Sequence, residues 1–217
     1  MRLNVRACVW VALVLALAGC ASAPQAAANK ADPWESWNRG VFGFNEAVDQ
    51  AVLKPVATGY RTVAPSPVRK GVSNFFGNLQ DVWSMVNNAL QFKGEGAATS
   101  LIRVGVNTVF GFGGVLDLAS EMHIDKHTKD FGHTLGHWGV GPGPYLVLPL
   151  LGPSTLRDTA ALPVDWQGDA VTRSTDIPLR NSAYALRGVS ERAELLQATQ
   201  LLEDVALDKN SFSRDVY

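Results

Sequence analysis

Between Phe131 and Leu156 the chain runs for 26 residues without one Asp, Glu, Lys or Arg. That length is enough to cross a bilayer. The residues inside it argue against that use: Gly139, Gly141, Pro142, Gly143, Pro144, Pro149, Gly152 and Pro153. Proline inside a helix removes an N–H and clashes with the preceding turn, and glycine weakens the helix further. A non-helical segment facing lipid would leave backbone groups unpaired. The stretch is therefore either a packed loop or a hairpin lining a cavity, and the residues alone favour neither. If it meets lipid, no spanning element remains, so the protein sits on or in one leaflet.

The N-terminus points to the same surroundings. Residues 1–19 read as a lipoprotein signal peptide, in which Arg2 and Arg6 precede a short apolar run from Ala7 to Ala18. Leu17-Ala18-Gly19-Cys20 resembles a bacterial lipobox, where cleavage frees Cys20 to carry an N-acyl diacylglycerol. Ala21 follows the cysteine in place of the Asp common in inner-membrane retention, so the outer membrane is the expected destination. Each buried methylene contributes about 0.8 kcal/mol, so one chain holds marginally and several hold firmly. Residues 20–31 are then the acylated cysteine and a flexible tether, reaching at most ~40 Å. The single folded domain is expected over 32–217, close to the membrane. Without its signal the chain has 17 Lys and Arg against 20 Asp and Glu. That mildly acidic body offers no footprint for nucleic acid. Apolar residues run throughout, against disorder, and Cys8 leaves with the signal, so no disulfide scaffold is built.

Helical spacing dominates the body. Asp32-Pro33-Trp34-Glu35 predicts a helix start, with Asp32 capping, Pro33 in the first turn and Glu35 completing a capping box. Trp34, Trp37, Val41, Phe44 and Val48 follow as one stripe, and Pro55 ends or kinks the segment. Ser66-Pro67 opens a second helix with Val68, Val72, Phe75 and Leu79 on one side. A third, Val82 to Phe92, groups Val82, Met85, Val86, Ala89 and Leu90, and Lys93-Gly94 interrupts it. A fourth carries Ala98, Leu101, Ile102, Gly105, Val106 and Val109 into a turn at Phe110-Gly111-Phe112-Gly113-Gly114. Ala183 to Ala206 predicts a long amphipathic helix with Leu186, Val189, Ala193, Leu196 and Leu202. No internal repeat and no long period-2 strand is present. The fold class is mainly α.

Catalytic and metal chemistry is thinly represented. His123 and His127 are four apart, as are His133 and His137, but no HExxH or CxxC spacing accompanies them, so no metal site is expected. No Gly-x-Ser-x-Gly elbow or phosphate loop is present, and Ser154 near Asp158 and His137 is a weak basis for a lipid-acting serine hydrolase. Ser154 is better read as capping or padding a helix start. Trp34, Trp37, Trp83, Trp138 and Trp166 suit interfacial anchors as a set, while each taken singly reads as a core aromatic.

A family resemblance rests on blocks that keep their order from Asp32 to Asp158. Asp32, Pro33, Trp34, Glu35, Trp37, Asn38, Arg39, Phe42, Gly43, Phe44 and Asn45 resemble the opening of the MlaA/VacJ outer-membrane lipoproteins. Ser73 to Leu79, Val86-Asn87, Arg103 to Thr108 (with Asn107) and Gly111 to Asp117 (with Gly113, Gly114 and Asp117) continue it. Phe131-Gly132, Thr134 to Gly136, Trp138 to Gly141, Gly143 to Tyr145, Leu148-Pro149 and Gly152 to Asp158 (with Arg157) complete it. The resemblance implies a ring-like assembly of amphipathic helices with a Gly/Pro-rich hairpin, embedded in the periplasm-facing leaflet of the outer membrane. It implies a non-enzymatic channel that removes mislocalised phospholipid from the outer leaflet and so maintains lipid asymmetry. The implied partners are phospholipid, a trimeric porin and a periplasmic carrier serving an ABC transport system, with no cofactor beyond the acyl chains on Cys20. Gly139, Gly141, Pro142, Gly143, Pro144 and Tyr145 would form the hairpin that bends to gate the passage. Alternatives from other classes are the serine hydrolase and a porin-bound scaffold without a conduit.

Overall fold

The computed structural model describes residues 32–205 and 208–216. The signal, Cys20 and the tether to residue 31 lie outside the described residues, as do Ala206 and the side chain of Leu202. Asp32 and Pro33 fall in a separate N-terminal unit, and the described residues from Trp34 onward form the other. In chain order the elements are α1 (Glu35–Val48), a π-helical turn (Asp49–Leu53), α2 (Lys54–Val63), α3 (Ser66–Leu90), α4 (Gly94–Val109) and α5 (Leu118–Glu121). Then come α6 (Phe131–His137), β1 (Tyr145–Leu148), β2 (Gly152–Thr155), α7 (Leu156–Gly168), α8 (Ile177–Val205) and α9 (Lys209–Val216). The chain is mainly helical, and no described helix is long and apolar enough to cross a membrane.

Several boundaries differ from the sequence expectation. At the start of α1 the cap position is held by Trp34, whose own side chain makes no capping hydrogen bond. Glu35 is engaged instead by Arg39, whose Nε lies 2.9 Å from Glu35 Oε1. Pro55 does not end its helix: the π-helical turn precedes it, and its missing N–H falls at the start of α2. The second and third predicted helices are one helix, α3, with 25 residues. At α8 the start moves back to Ile177, where Asp176 Oδ1 accepts the Leu179 N–H at 2.9 Å.

The apolar stripes point outward. Trp37 and Phe44 on α1 are 56% and 52% exposed, and Leu101, Ile102 and Val109 on α4 are exposed too. Among the described residues fifteen polar or charged residues are buried against eight apolar ones, four of these alanine. The interior is polar and the greasy side is outside, the reverse of a water-soluble domain. Two rows create this inversion. Asn78, Asp81, Ser84 and Asn88 on α3 meet Gly96, Ser100, Arg103 and Asn107 on α4, while Gly71 lies against Val115 in the turn beyond it. The two helices run antiparallel through a short reversal at 91–93.

At the centre of that contact lies Arg103. Its Nε donates to Asp81 Oδ2 at 3.0 Å, and both side chains are 2% exposed. Its Nη2 donates to the two oxygens of Asp117 at 3.0 and 3.1 Å, and its Nη1 to the Ile124 carbonyl at 2.7 Å. Asn107 donates to Asp117 at 2.8 Å while its own oxygen accepts the Ala119 N–H at 2.9 Å. The guanidinium fork thereby ties α3, α4 and the segment around α5 into one polar core.

This core gives the fold an acid limit. Burial pushes the Asp117 carboxyl up, but hydrogen bonds from Ser120 and Asn107, with the Arg103 charge, outweigh it and hold it down at about 2, against an ordinary 3.8. A carboxyl lowered by folding contributes stability that is present above its unfolded value and lost as pH falls through its folded one. Thermal stability in detergent micelles should fall as pH drops from about 4 to about 2. Asp117→Asn, already weakened at neutral pH, should fall less steeply. An equally steep fall in that variant would place the acid sensitivity in other groups.

Candidate functional site

The charge-free stretch resolves into α6, an irregular segment over 138–144, and an antiparallel hairpin pairing Tyr145 with Thr155 and Leu148 with Gly152. A two-stranded hairpin is marginal alone, and its outer edge must be satisfied. Helix α1 does this with two amides. Asn38 Nδ2 donates to the Tyr145 carbonyl at 3.2 Å, and Asn38 Oδ1 accepts the Val147 N–H at 2.8 Å. Two turns on, Asn45 Nδ2 donates to the Leu148 carbonyl at 2.9 Å and Asn45 Oδ1 accepts the Leu150 N–H at 2.7 Å. Each side-chain amide presents the donor and acceptor that a third strand would present. Opposite Val147 stands Pro153, which has no N–H to give, so the ladder loses nothing where Val147 turns to Asn38.

The rest of the resemblance residues have structural tasks or face out. Arg39 bridges Glu35 and Asp208, which pushes its own pKa up and holds the Asp208 carboxyl well below the usual range. Phe42 is half-buried and Phe44 exposed. In the turn after α4, Gly114 takes φ +93°, and a Cβ there would lie 2.6 Å from the Asn78 amide. The same turn carries Gly113 at φ +72° and presents Phe110 and Phe112 outward. Thr155 caps α7 by accepting the Asp158 N–H at 3.2 Å, and Arg157 Nε pairs with Asp158 Oδ1 at 2.8 Å. Of the six proposed gating residues only Tyr145 is in the hairpin itself. The carbonyls of Pro142 and Pro144 accept the N–H groups of Arg157 and Leu156, so 139–144 docks against the start of α7.

Two cavities lie between α3 and α8. A polar cavity of about 460 Å³ is lined from α3 by Phe76, Gly77 and Trp83, from α8 by Arg187, Glu191 and Glu194, and elsewhere by Lys126, Asp130, Asp165 and Asp169. An apolar groove of about 680 Å³ is lined by Val68, Val72, Phe75, Phe76, Val115, Leu179 and Leu186. Phe76 is a wall of both, so charged and greasy surfaces adjoin. In the polar cavity Asp165 Oδ1 accepts from Trp83 Nε1 at 2.7 Å and from the Phe131 N–H at 2.8 Å. Burial still pushes that carboxyl up, against those two hydrogen bonds.

Four of the five singled-out tryptophans are exposed, Trp34, Trp37, Trp138 and Trp166, which corrects their reading as core aromatics. Only Trp83 is partly buried, and it lines the polar cavity. Among the described residues no group of three or more His, Cys, Asp or Glu is placed to hold a metal. His133 Nδ1 lies 2.7 Å from Asp130, the residue that caps α6. Ser154 Oγ is taken up by Thr159 and the Thr155 carbonyl, and the cap of α7 is Thr155 rather than Ser154. The cavity walls on α8 escaped the sequence reading, and Asn38 and Asn45 entered it only as resemblance residues, without their role at the hairpin edge. Their spacing, seven apart on a greasy helix, was the available signal for that role.

A model of the MlaA lipoprotein family matches residues 30–217. The intermembrane phospholipid transport system lipoprotein MlaA of Escherichia coli (strain K12) is 37% identical over 190 residues, covering 86% of this chain and 75% of the relative. Its namesake in Haemophilus influenzae is 32% identical over 218 residues, covering 94% of this chain and 83% of the relative. A solved chain described as the "structural basis for maintenance of bacterial outer membrane lipid asymmetry" superimposes with a TM-score of 0.75 at 35% identity, covering 86% of this chain and 94% of that one. With relatives matched over most of their length and a shared three-dimensional fold, the chain belongs to the MlaA lipoprotein family.

Proposed function

We propose that this lipoprotein extracts mislocalised phospholipid from the outer leaflet of the outer membrane and passes it on intact, so that lipid asymmetry is maintained. The observation that carries this reading is the pair of cavities sharing Phe76. A phospholipid presents roughly 30 methylenes, each worth about 0.8 kcal/mol when removed from water. Its headgroup charges cost several kcal/mol to bring into hydrocarbon. An apolar groove beside a charged cavity serves both ends of the molecule. The family's relatives, named for intermembrane phospholipid transport, support the same reading.

The body sits in the periplasm-facing leaflet as a ring of helices, its exposed aromatics in lipid and its polar rows turned inward. The inverted burial supports this placement. It works beside a trimeric porin and delivers lipid to a periplasmic carrier of an ABC transport system. Gating rests on the segment leading into the hairpin, where Gly139 and Gly143 hold φ +91° and +72°. A Cβ on Gly143 would also meet Leu156 at 3.1 Å, whereas Gly141 has open space around it. Gly143→Val should therefore alter surface phospholipid and Gly141→Val should not, at equal protein level. Wild-type surface phospholipid in Gly143→Val would remove the gate from this account.

The conduit is tested by a charge in the groove. Leu186 is 40% exposed, so Leu186→Lys should fold and keep its partners. Detergent sensitivity and outer-leaflet phospholipid in cells carrying it should approach those of cells lacking the protein. Normal barrier function in that variant would favour a scaffold without a conduit. Release of lysophospholipid or fatty acid by the purified protein would favour a hydrolase.

A further inference from the structure

Most charges in the polar cavity are already engaged. Arg187 Nη2 holds Asp169 Oδ2 at 2.8 Å and lies over the Tyr184 ring at 4.9 Å. Asp165 accepts from Trp83 and Phe131, and Asp130 caps α6. Three groups remain open to a guest. Glu191 and Glu194 share a face of α8 with Arg187, and among the described residues neither accepts a hydrogen bond. Lys126 reaches the cavity from another wall, and its ion pair with Asp81 is loose, at 3.6 Å. The lining as a whole sets five carboxylates against two cations.

We propose that this cavity discriminates between headgroups, favouring a zwitterionic phosphoethanolamine headgroup over an anionic phosphoglycerol one. The inference rests on the reading above, that phospholipid enters with its chains in the adjoining groove. The primary ammonium meets Glu191 and Glu194, and the phosphate meets Lys126. An anionic headgroup offers the same phosphate but no cation for the two glutamates, and it adds negative charge to a lining already rich in it. Burial, with the nearby Glu194 and Asp169 charges, pushes the Glu191 carboxyl up against the pull of Arg187, and a guest ammonium would hold it down.

The test uses the full acylated chain in detergent, offered equimolar phosphatidylethanolamine and phosphatidylglycerol in mixed micelles and read by native mass spectrometry. The wild type should retain the ethanolamine lipid in about fivefold excess, the scale of two partly exposed charge contacts. Glu191→Gln combined with Glu194→Gln should bring the ratio near unity with total bound phospholipid unchanged. Lys126→Gln should weaken both lipids alike. Glu95→Gln, on the exposed start of α4, should change nothing. If the double variant melts early, Glu194→Gln alone must give a partial shift. Bound lipid with no preference in the wild type, or a preference that survives the glutamate changes, overturns headgroup selection and leaves transport standing. No phospholipid bound at all overturns both.

Discussion

Replacing Arg103 by methionine should leave little folded protein. The substitution keeps the aliphatic stem and removes the charged fork, so Asp81, 2% exposed, loses the Nε donor and Asp117 loses Nη2 from both its oxygens. The Ile124 carbonyl loses its partner in the same step. Breaking a buried ion pair from one side costs about 3–5 kcal/mol, because the remaining charge stays desolvated. That is a large share of the roughly 5–15 kcal/mol that holds a domain together. Resistance to trypsin and thermal melting in micelles would read the loss. Arg103→Lys should recover only part of the stability, since one ammonium cannot serve both carboxylates and the carbonyl. Asp81→Asn with Asp117→Asn in the methionine background should also recover part. Wild-type melting of Arg103→Met would show that the two helices are held by something other than this fork.

Asn38→Ala should free the hairpin without unfolding the helices. It strips partners from the Tyr145 carbonyl and the Val147 N–H, both inside the contact, at about 1–3 kcal/mol for each group left unpaired. With Asn45→Ala the Leu148 carbonyl and the Leu150 N–H follow. Amide exchange at Val147 and Leu150 should accelerate by about tenfold or more in the double variant, with α3 and α4 unchanged. Asn38→Asp should also loosen the hairpin, because a carboxylate accepts the Val147 N–H but cannot donate to the Tyr145 carbonyl and sets a negative charge against it. Protected amides in the double variant would mean that packing, rather than the two amides, holds the hairpin to α1.

How far the sequence could be read depended on what the pattern encodes. A period of 3.6 finds helices, and it found α1, α3, α4 and most of α8. It carries no sign, however: Leu101, Ile102 and Val109 recur identically whether their stripe faces a core or lipid. Only the opposite row, Ser100, Arg103 and Asn107, reveals the direction, because buried groups of that kind require one another. Asp176-Ile177-Pro178 was a readable start for α8 that apolar periodicity passed over. β1 and β2 are four residues each, too short for periodicity to separate strand from loop. The cavities were out of reach, since they depend on Lys126 and Glu191, far apart in the chain, facing one volume.

The inverted burial also sets which positions are free to drift. In the proposed placement these residues face a fluid of hydrocarbon chains, which imposes no jigsaw, so Leu101, Ile102 or Val109 should exchange among Leu, Ile, Val and Phe almost without effect. Asn78, Asn88 and Asn107 should accept almost nothing, not even glutamine. A saturation mutagenesis map of this protein would then look like the photographic negative of one from a water-soluble enzyme.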